Sequence, residues 1–181
     1  MIFEETQLKG AYVINTKFSS DERGGFARVF CKKEFSKIGH TKEFVQFNQS
    51  YNINKGTVRG MHYQQAPYKE IILIRCVKGV VDDVIIDIRK NSPTFLKHIH
   101  VELSAENKRM VYVPEGFAHG FQTLEDDTEL IYHHTEYYTP DANAGLNCKD
   151  PLLSITWPLD IAVISEKDNR LTFIDQSFEG I

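Results

Sequence analysis

Short β-branched segments cut by turn residues, a two-residue polar/apolar period, and helical signal in only two short stretches together predict an all-β fold. The form expected is a cupin-like jelly-roll barrel with short peripheral helices, built as one domain over residues 1–181. Ile71–Val77 is apolar and β-branched and ends at a Lys78-Gly79 turn. Val80–Ile88 continues as a buried strand until Asn91-Ser92-Pro93 breaks it. In Lys97–Leu103, Ile99, Val101 and Leu103 point one way while His98, His100 and Glu102 point the other, as in a half-buried strand. Met110–Val113, Phe121–Leu124 and Glu129–Tyr137 follow, separated by Pro114-Glu115-Gly116 and Glu125-Asp126-Asp127. Strands recurring at roughly 8–12-residue spacing indicate a sandwich or barrel, and a barrel mouth can hold one small ligand. Helical signal is confined to Lys33–Ile38 and Ser165–Arg170.

At 181 residues the chain suits a single core, one that buries roughly 70% of the unfolded surface. A net charge of −4 favours neither nucleic acid nor an anionic membrane, so an anionic substrate would need locally placed Arg or Lys. Cys31, Cys76 and Cys148 are odd in number and form no CxxC pair, as expected of inert thiols in a reducing compartment. No basic segment leads into an apolar one at the start, and no apolar run has the length of a membrane span. The expectation is a soluble, cytoplasmic protein.

The histidines are the first candidates for chemistry. His98-Ile99-His100 has the HxH form of a cupin metal site, but it lies on a polar strand face and no partner His or Glu follows at suitable spacing, so no metal is expected. His133 and His134 are adjacent on a strand and face opposite ways. His62 and His119 stand apart, because each lies in a glycine-bounded apolar segment, Arg59-Gly60-Met61-His62-Tyr63 and Gly116-Phe117-Ala118-His119-Gly120-Phe121. Glycine permits close backbone approach there. Arg59 adds a fixed cation, and together they suggest a pocket with a base and an anion clamp. Tyr132 and Tyr138 share strand parity, and a phenol with a pKa of about 10 keeps its proton at neutral pH and can act as an acid. Taken one at a time, such a histidine or tyrosine is by default read as a hydrogen-bonded packing residue.

An ordered set of motifs narrows these readings. Asp21-Glu22-Arg23-Gly24-Gly25-Phe26, Gln46-Phe47-Asn48-Gln49-Ser50, Gly56 through Gln64, Pro114 through Phe121, Tyr132 through Tyr138, Asp150-Pro151, Trp157-Pro158 and Ser165-Glu166-Lys167-Asp168 follow one another. In this set the chain resembles the dTDP-4-dehydrorhamnose 3,5-epimerases over nearly its whole length. The resemblance implies a homodimeric cupin jelly roll, without metal or organic cofactor, acting in bacterial surface-polysaccharide synthesis. Its substrate would be a nucleoside-diphosphate 4-keto sugar, GDP- or dTDP-linked. By resemblance His62 is the base, Asp168 orients its ring, and Tyr132 is the acid on the opposite face. Arg23 and Arg59 would clamp the diphosphate, and His119 would donate to sugar oxygens. Phe26, Arg28, Gln46, Asn48 and Tyr138 complete the expected substrate contacts.

Three positions depart from the family pattern. Its pocket lysine falls on Ile72, which leaves the enolate short of a donor that His119 or His133 could supply. Its acidic residue near the nucleobase is replaced by Arg28, which offers only donors, and a bidentate Arg is the usual reader of guanine. Its tryptophan before the Asp-Pro pair is Cys148, which suggests extra room beside the sugar and a bulkier substrate such as a heptose. The competing readings are a 3,4-ketoisomerase on the same substrate class and a catalytically reduced nucleotide-sugar-binding protein.

Overall fold

The computed structural model describes residues 1–175 and 177–181. In chain order the strands are β1 (Ile2–Glu5), β2 (Tyr12–Asn15), β3 (Ser19–Asp21), β4 (Gly24–Phe26), β5 (Gln46–Asn52), β6 (Thr57–Gln64) and β7 (Ile72–Lys78). They continue as β8 (Val80–Asp87), β9 (His98–Ser104), β10 (Met110–Val113), β11 (Phe117–Thr123), β12 (Thr128–His134), β13 (Asn143–Gly145) and β14 (Val163–Ile164). Two helices interrupt them, α1 (Lys32–Phe35) and α2 (Glu166–Asn169).

The strands form two six-stranded sheets and a separate hairpin. The first sheet runs β1-β2-β10-β7-β12-β5; the second runs β13-β6-β11-β8-β9, with β14 added in parallel against β6. Between them lies the main core. Ile72, Ile74 and Cys76 of β7 and Leu130 of β12 meet Val81 and Ile85 of β8 and Phe117 and Phe121 of β11. The period of two then assigns every other residue to an outer face. Leu73, Met110 and Tyr112 pack outward onto Phe35 of α1. Val84, Ile86 and Ala118 pack on the far side of the second sheet against Leu146, Cys148 and Leu153 of the C-terminal third. Chains of alternate residues thus bury apolar area on both faces of each sheet, the dominant favourable term in holding the layers together.

The six strands expected between Ile71 and Tyr137 are found in order as β7 to β12, with two marked shifts in their ends, while the other strands of the two sheets add to them. β11 begins at Phe117 rather than Phe121, because it is flanked by β6 and β8 and all seven of its residues are buried, which erases the alternation that marks a strand. β12 ends at His134 rather than Tyr137, because its ladder partners Gln46 and Ile72 are both terminal residues of their strands. The first helical stretch is one α-turn followed by a 3-10 turn over Ser36–Ile38, stopped by Gly39 at φ 80°. The second is α2, whose N-cap Ser165 accepts from the Asp168 amide. Among the described residues no helix is long and apolar enough to cross a membrane.

One close approach organises the site. β6 and β11 pair with His62 opposite His119, and the register slips between His119 and Phe121. At the slip, a Cβ on Gly60, which has φ +123°, would lie 2.5 Å from Gly120 Cα and 2.8 Å from the His119 carbonyl. A Cβ on Gly120 would lie 2.7 Å from the Arg59 carbonyl. Both neighbours are backbone, so neither can swing aside. Gly60→Ala is therefore expected to destabilise the protein by at least the ~1–3 kcal/mol typical of overpacking, with a further cost for a β-carbon at positive φ. A urea denaturation midpoint equal to wild type would disprove the close packing.

Candidate active site

The two sheets splay at one end around a cavity of about 640 Å³. The second sheet contributes Arg59 and His62 from β6 and His119 from β11, while the first contributes Asn48 and Ser50 from β5, Ile72 from β7, and Tyr132 and His134 from β12. Asp168 and Lys167 of α2 and Tyr138 close the rim.

On the second-sheet wall, His62 Nε2 lies 2.7 Å from Asp168 Oδ1. A carboxylate only accepts, so Nε2 carries hydrogen and Nδ1 is left with its lone pair. The His62 side chain is 41% exposed and Asp168 5%. Burial alone would raise the Asp168 carboxyl, but the hydrogen bond and charge of His62, together with the Gly60 amide, hold it below the usual carboxylate value. Behind it, α2 is short yet well fixed, since Ser165 caps it at the turn that carries Asp168.

On the facing wall, the Tyr132 hydroxyl is 2.9 Å from Ser50 Oγ. Burial drives the phenol far above its ordinary value, more than the Ser50 hydrogen bond can offset. The ring therefore stays protonated at any physiological pH. Its centroid lies 6.4 Å from that of His119.

His119 is held differently from His62. Its Nε2 is 2.7 Å from Oδ2 of Asp83, a fully buried carboxylate on β8 whose other oxygen has no partner. Burial raises the Asp83 carboxyl, opposed by the charge of His119. Arg59 is aimed by Nε–H to Asn52 Oδ1 at 2.7 Å. A third histidine-carboxylate pair sits on the first-sheet wall, where His134 Nδ1 lies 2.7 Å from Glu70 Oε2.

Of the expected site residues, His62, Tyr132, Asp168, Asn48, Arg59, His119 and Tyr138 line this one cavity. Four do not. Gln46 stands beside it at the start of β5, donating to Asn48 Oδ1 and accepting from the Tyr138 amide, and so positions two residues that do line it. Arg23 and Phe26 belong to the β3-β4 hairpin, which pairs with neither sheet. Arg23 binds Asp21, and Phe26 is 79% exposed. Arg28 donates to Glu34 at 3.0 Å on the surface.

Other expectations also change. His133 is paired with Leu73 and so faces outward with it, its ring stacked edge-on against Phe44 and Phe47, which removes it as a donor to the cavity. Cys148 is buried behind the second sheet, its carbonyl accepting from the Trp157 indole, so it makes no room beside a ligand. On the polar side of β9, His100 is held 2.7 Å from Asp82. Among the described residues no group of three His, Cys, Asp or Glu side chains is arranged to hold a metal ion. Sequence reasoning missed Asp83, Ser50, Glu70 and His134. The first was visible only as an acid inside an apolar run, the last only as one of two adjacent histidines.

A jelly-roll barrel whose cavity holds carboxylate-backed imidazoles on one wall and a buried phenol on the other defines a class, a barrel protein equipped to move protons. A family model described as dTDP-4-dehydrorhamnose 3,5-epimerase matches residues 5–176. The chain is 43% identical to the dTDP-4-dehydrorhamnose 3,5-epimerase of Shigella flexneri, over 96% of this chain and 97% of that one. Its fold is similar to the crystal structure of the Bacillus anthracis enzyme of that name with TDP and pyrophosphate bound, at TM-score 0.92 and 39% identity, covering 96% and 99% of the two chains. It is also similar to the Legionella pneumophila 3,5-epimerase in complex with dTDP-4-keto-L-rhamnose, at TM-score 0.90 and 39% identity, covering 95% and 92%. The chain belongs to the dTDP-4-dehydrorhamnose 3,5-epimerase family, whose fold is the cupin-like jelly roll, and it is an isomerase of the epimerase type.

Proposed function

We propose that this single cupin-like domain, residues 1–181, inverts C3, C5 or both in a nucleoside-diphosphate 4-keto sugar, in the cytoplasm, during capsule or lipopolysaccharide synthesis. The observation that carries the reading is the placement of the His62–Asp168 pair and the buried Tyr132 hydroxyl on opposite walls of one cavity. The 4-ketone acidifies the hydrogens on the carbons beside it. His62 Nδ1 takes such a proton, the C–H electron pair forms a carbon–carbon double bond, and the ketone oxygen becomes an enolate. Tyr132 then delivers its proton to the other face of that carbon, the ketone re-forms, and solvent restores both residues. Asp168 holds the His62 ring and balances the imidazolium, while Arg59 grips the diphosphate. Incubation with 4-keto sugar in D₂O tests the reading directly. Deuterium enters at C3 or C5 if it is right, and its absence with dTDP- and GDP-linked sugars alike refutes it.

The remaining expected contacts are supplied in a homodimer. Arg23 and Phe26 sit on an exposed hairpin outside their own cavity, as does Arg28 just beyond it, and they serve the partner's cavity. Mixing Arg23→Ala/Phe26→Ala protein with His62→Ala protein should then restore activity above that of either alone, because the mixed dimer holds one intact site. Additive activities would mean that the hairpin acts in its own chain. The base of the substrate is read at Arg28. With the Glu34 contact exchanged for a guanine edge, wild type prefers GDP- over dTDP-linked sugar and Arg28→Glu loses that preference, measured as the ratio of kcat/KM values. A wild-type preference for dTDP would assign Arg28 to the surface ion pair alone.

A further inference from the structure

One run of hydrogen bonds joins the two walls of the cavity, from Arg59 on β6 through Asn52 and Ser50 of β5 to Tyr132 on β12. Ser50 and Asn52 are two apart on β5 and share a face, opposite Leu130 and Thr128 of β12. Asn52 is buried, and its partners fix which way its amide points. Oδ1 lies 2.7 Å from Arg59 Nε, and a guanidinium only donates. Nδ2 lies 3.1 Å from the Thr128 carbonyl, which only accepts. The amide therefore cannot be turned, and Nδ2 gives its other hydrogen to Ser50 Oγ at 3.4 Å. Supplied in this way, Ser50 has its own O–H to give to the Tyr132 oxygen 2.9 Å away. Every donor then faces the same direction, from the Arg59 cation toward the phenol. With Ser50 as donor, the Tyr132 proton is left for the cavity that both residues line. Burial drives the phenol up, and the Ser50 hydrogen bond and the Arg59 charge both pull against it.

Resting on the epimerase reading, we propose that Ser50, held by Asn52 and Arg59, is the positioning residue of the acid, its O–H donating to the Tyr132 oxygen. In that arrangement the phenol proton is the one left to face the sugar. As it is delivered, the Tyr132 O–H bond breaks and its electron pair stays on the oxygen, while the enolate pair forms the new C–H bond. The phenolate so formed can only accept, and the Ser50 O–H already meets it. A hydrogen bond to a charged oxygen is stronger than one to a neutral oxygen, so this contact strengthens as the proton moves. Asn52 has a second duty, because the same amide aims the guanidinium that grips the diphosphate.

The test follows two rates in D₂O, deuterium uptake at C3 or C5 and inversion at the same carbon. Ser50→Ala is expected to lower inversion by about 10–10²-fold, with uptake close to wild type, so that sugar is labelled without being inverted. Ser50→Thr keeps the hydroxyl and should recover most of the lost inversion. Asn52→Ala should also lower the ratio of inversion to uptake, and raise KM besides, because Arg59 loses its aim. An unchanged ratio in Ser50→Ala would overturn the proposal. So would uptake and inversion falling together in step with Tm, which is the behaviour of a purely structural contact. An equal loss in Ser50→Thr would do the same, by laying the effect on shape and not on the hydroxyl. Absence of deuterium uptake in wild type would remove the epimerase reading itself, and with it this role.

Discussion

His62→Ala is expected to abolish deuterium uptake and epimerisation together, slowing both by about 10²–10⁴-fold, the range assigned to a positioned general base. The expectation rests on a division of labour among the ring nitrogens. Nε2 is engaged by Asp168, so Nδ1 alone can take a proton. His119 does not replace it, because its Nε2 is bound to a carboxylate buried deep in the barrel and its ring is only slightly exposed. The fold should survive, since His62 is partly open to the cavity and contributes no major core area. Asp168, held below the usual carboxylate range, is raised on unfolding to the ordinary value. A depressed folded-state pKa gives stability that is present above the unfolded value and lost as pH falls through the folded one. The His62–Asp168 pair therefore weakens only in acid below the ordinary carboxylate range, and the wild-type minus Asp168→Asn difference in stability should shrink there. Unchanged deuterium uptake in His62→Ala, with native Tm, would show that another group is the base.

Tyr132→Phe is expected to separate two events that are fused in wild type. Under the proposed mechanism proton removal needs only His62, so solvent deuterium still enters the sugar, whereas inversion needs an acid on the opposite face and should fall by about 10²-fold or more. The returned deuteron then comes from the side it left, and the labelled sugar keeps its starting configuration. Because the Tyr132 hydroxyl is buried and bonded to Ser50, its removal also leaves Ser50 Oγ one hydrogen bond short, which costs roughly 1 kcal/mol. Chiral analysis of the sugar after partial exchange distinguishes the outcomes. Inversion at the wild-type rate would reassign the acid.

The alternation in β9 was legible because its His100 and Glu102 side is exposed while Val101 and Leu103 are buried, and β7 and β8 were legible because strands buried on both faces read as continuous β-branched runs. β11 was only half legible, since an element buried on both faces carries no period. The same burial hid Asp83, whose role depends on a histidine 36 residues away. His62 and Asp168 were each readable by resemblance, but their contact spans 106 residues and is made by the fold. Periodicity places His133 and His134 on opposite faces without saying which face is inside. Pairing with Leu73 and Ile72 decides it, and pairing register is a property of three strands together. Arg23, Phe26 and Arg28 were readable as motif positions, while their distance from their own cavity was not, because a hairpin's direction depends on what it packs against.

The contact between Gly60 and Gly120 has a consequence for how this enzyme can diversify. On the β6-β11 side two α-carbons pass so closely that only hydrogen fits, and the histidines of that side are set by that spacing. Changes there are filtered by folding before they reach selection on activity. At the cavity end of the β7-β12 ladder the register is unbroken and Ile72 pairs with His134 as ordinary side chains, the slip lying at the other end between Glu129 and Leu130. Drift toward new sugars is thereby channelled to one wall of the barrel, leaving the wall of His62 and His119 as the inherited part.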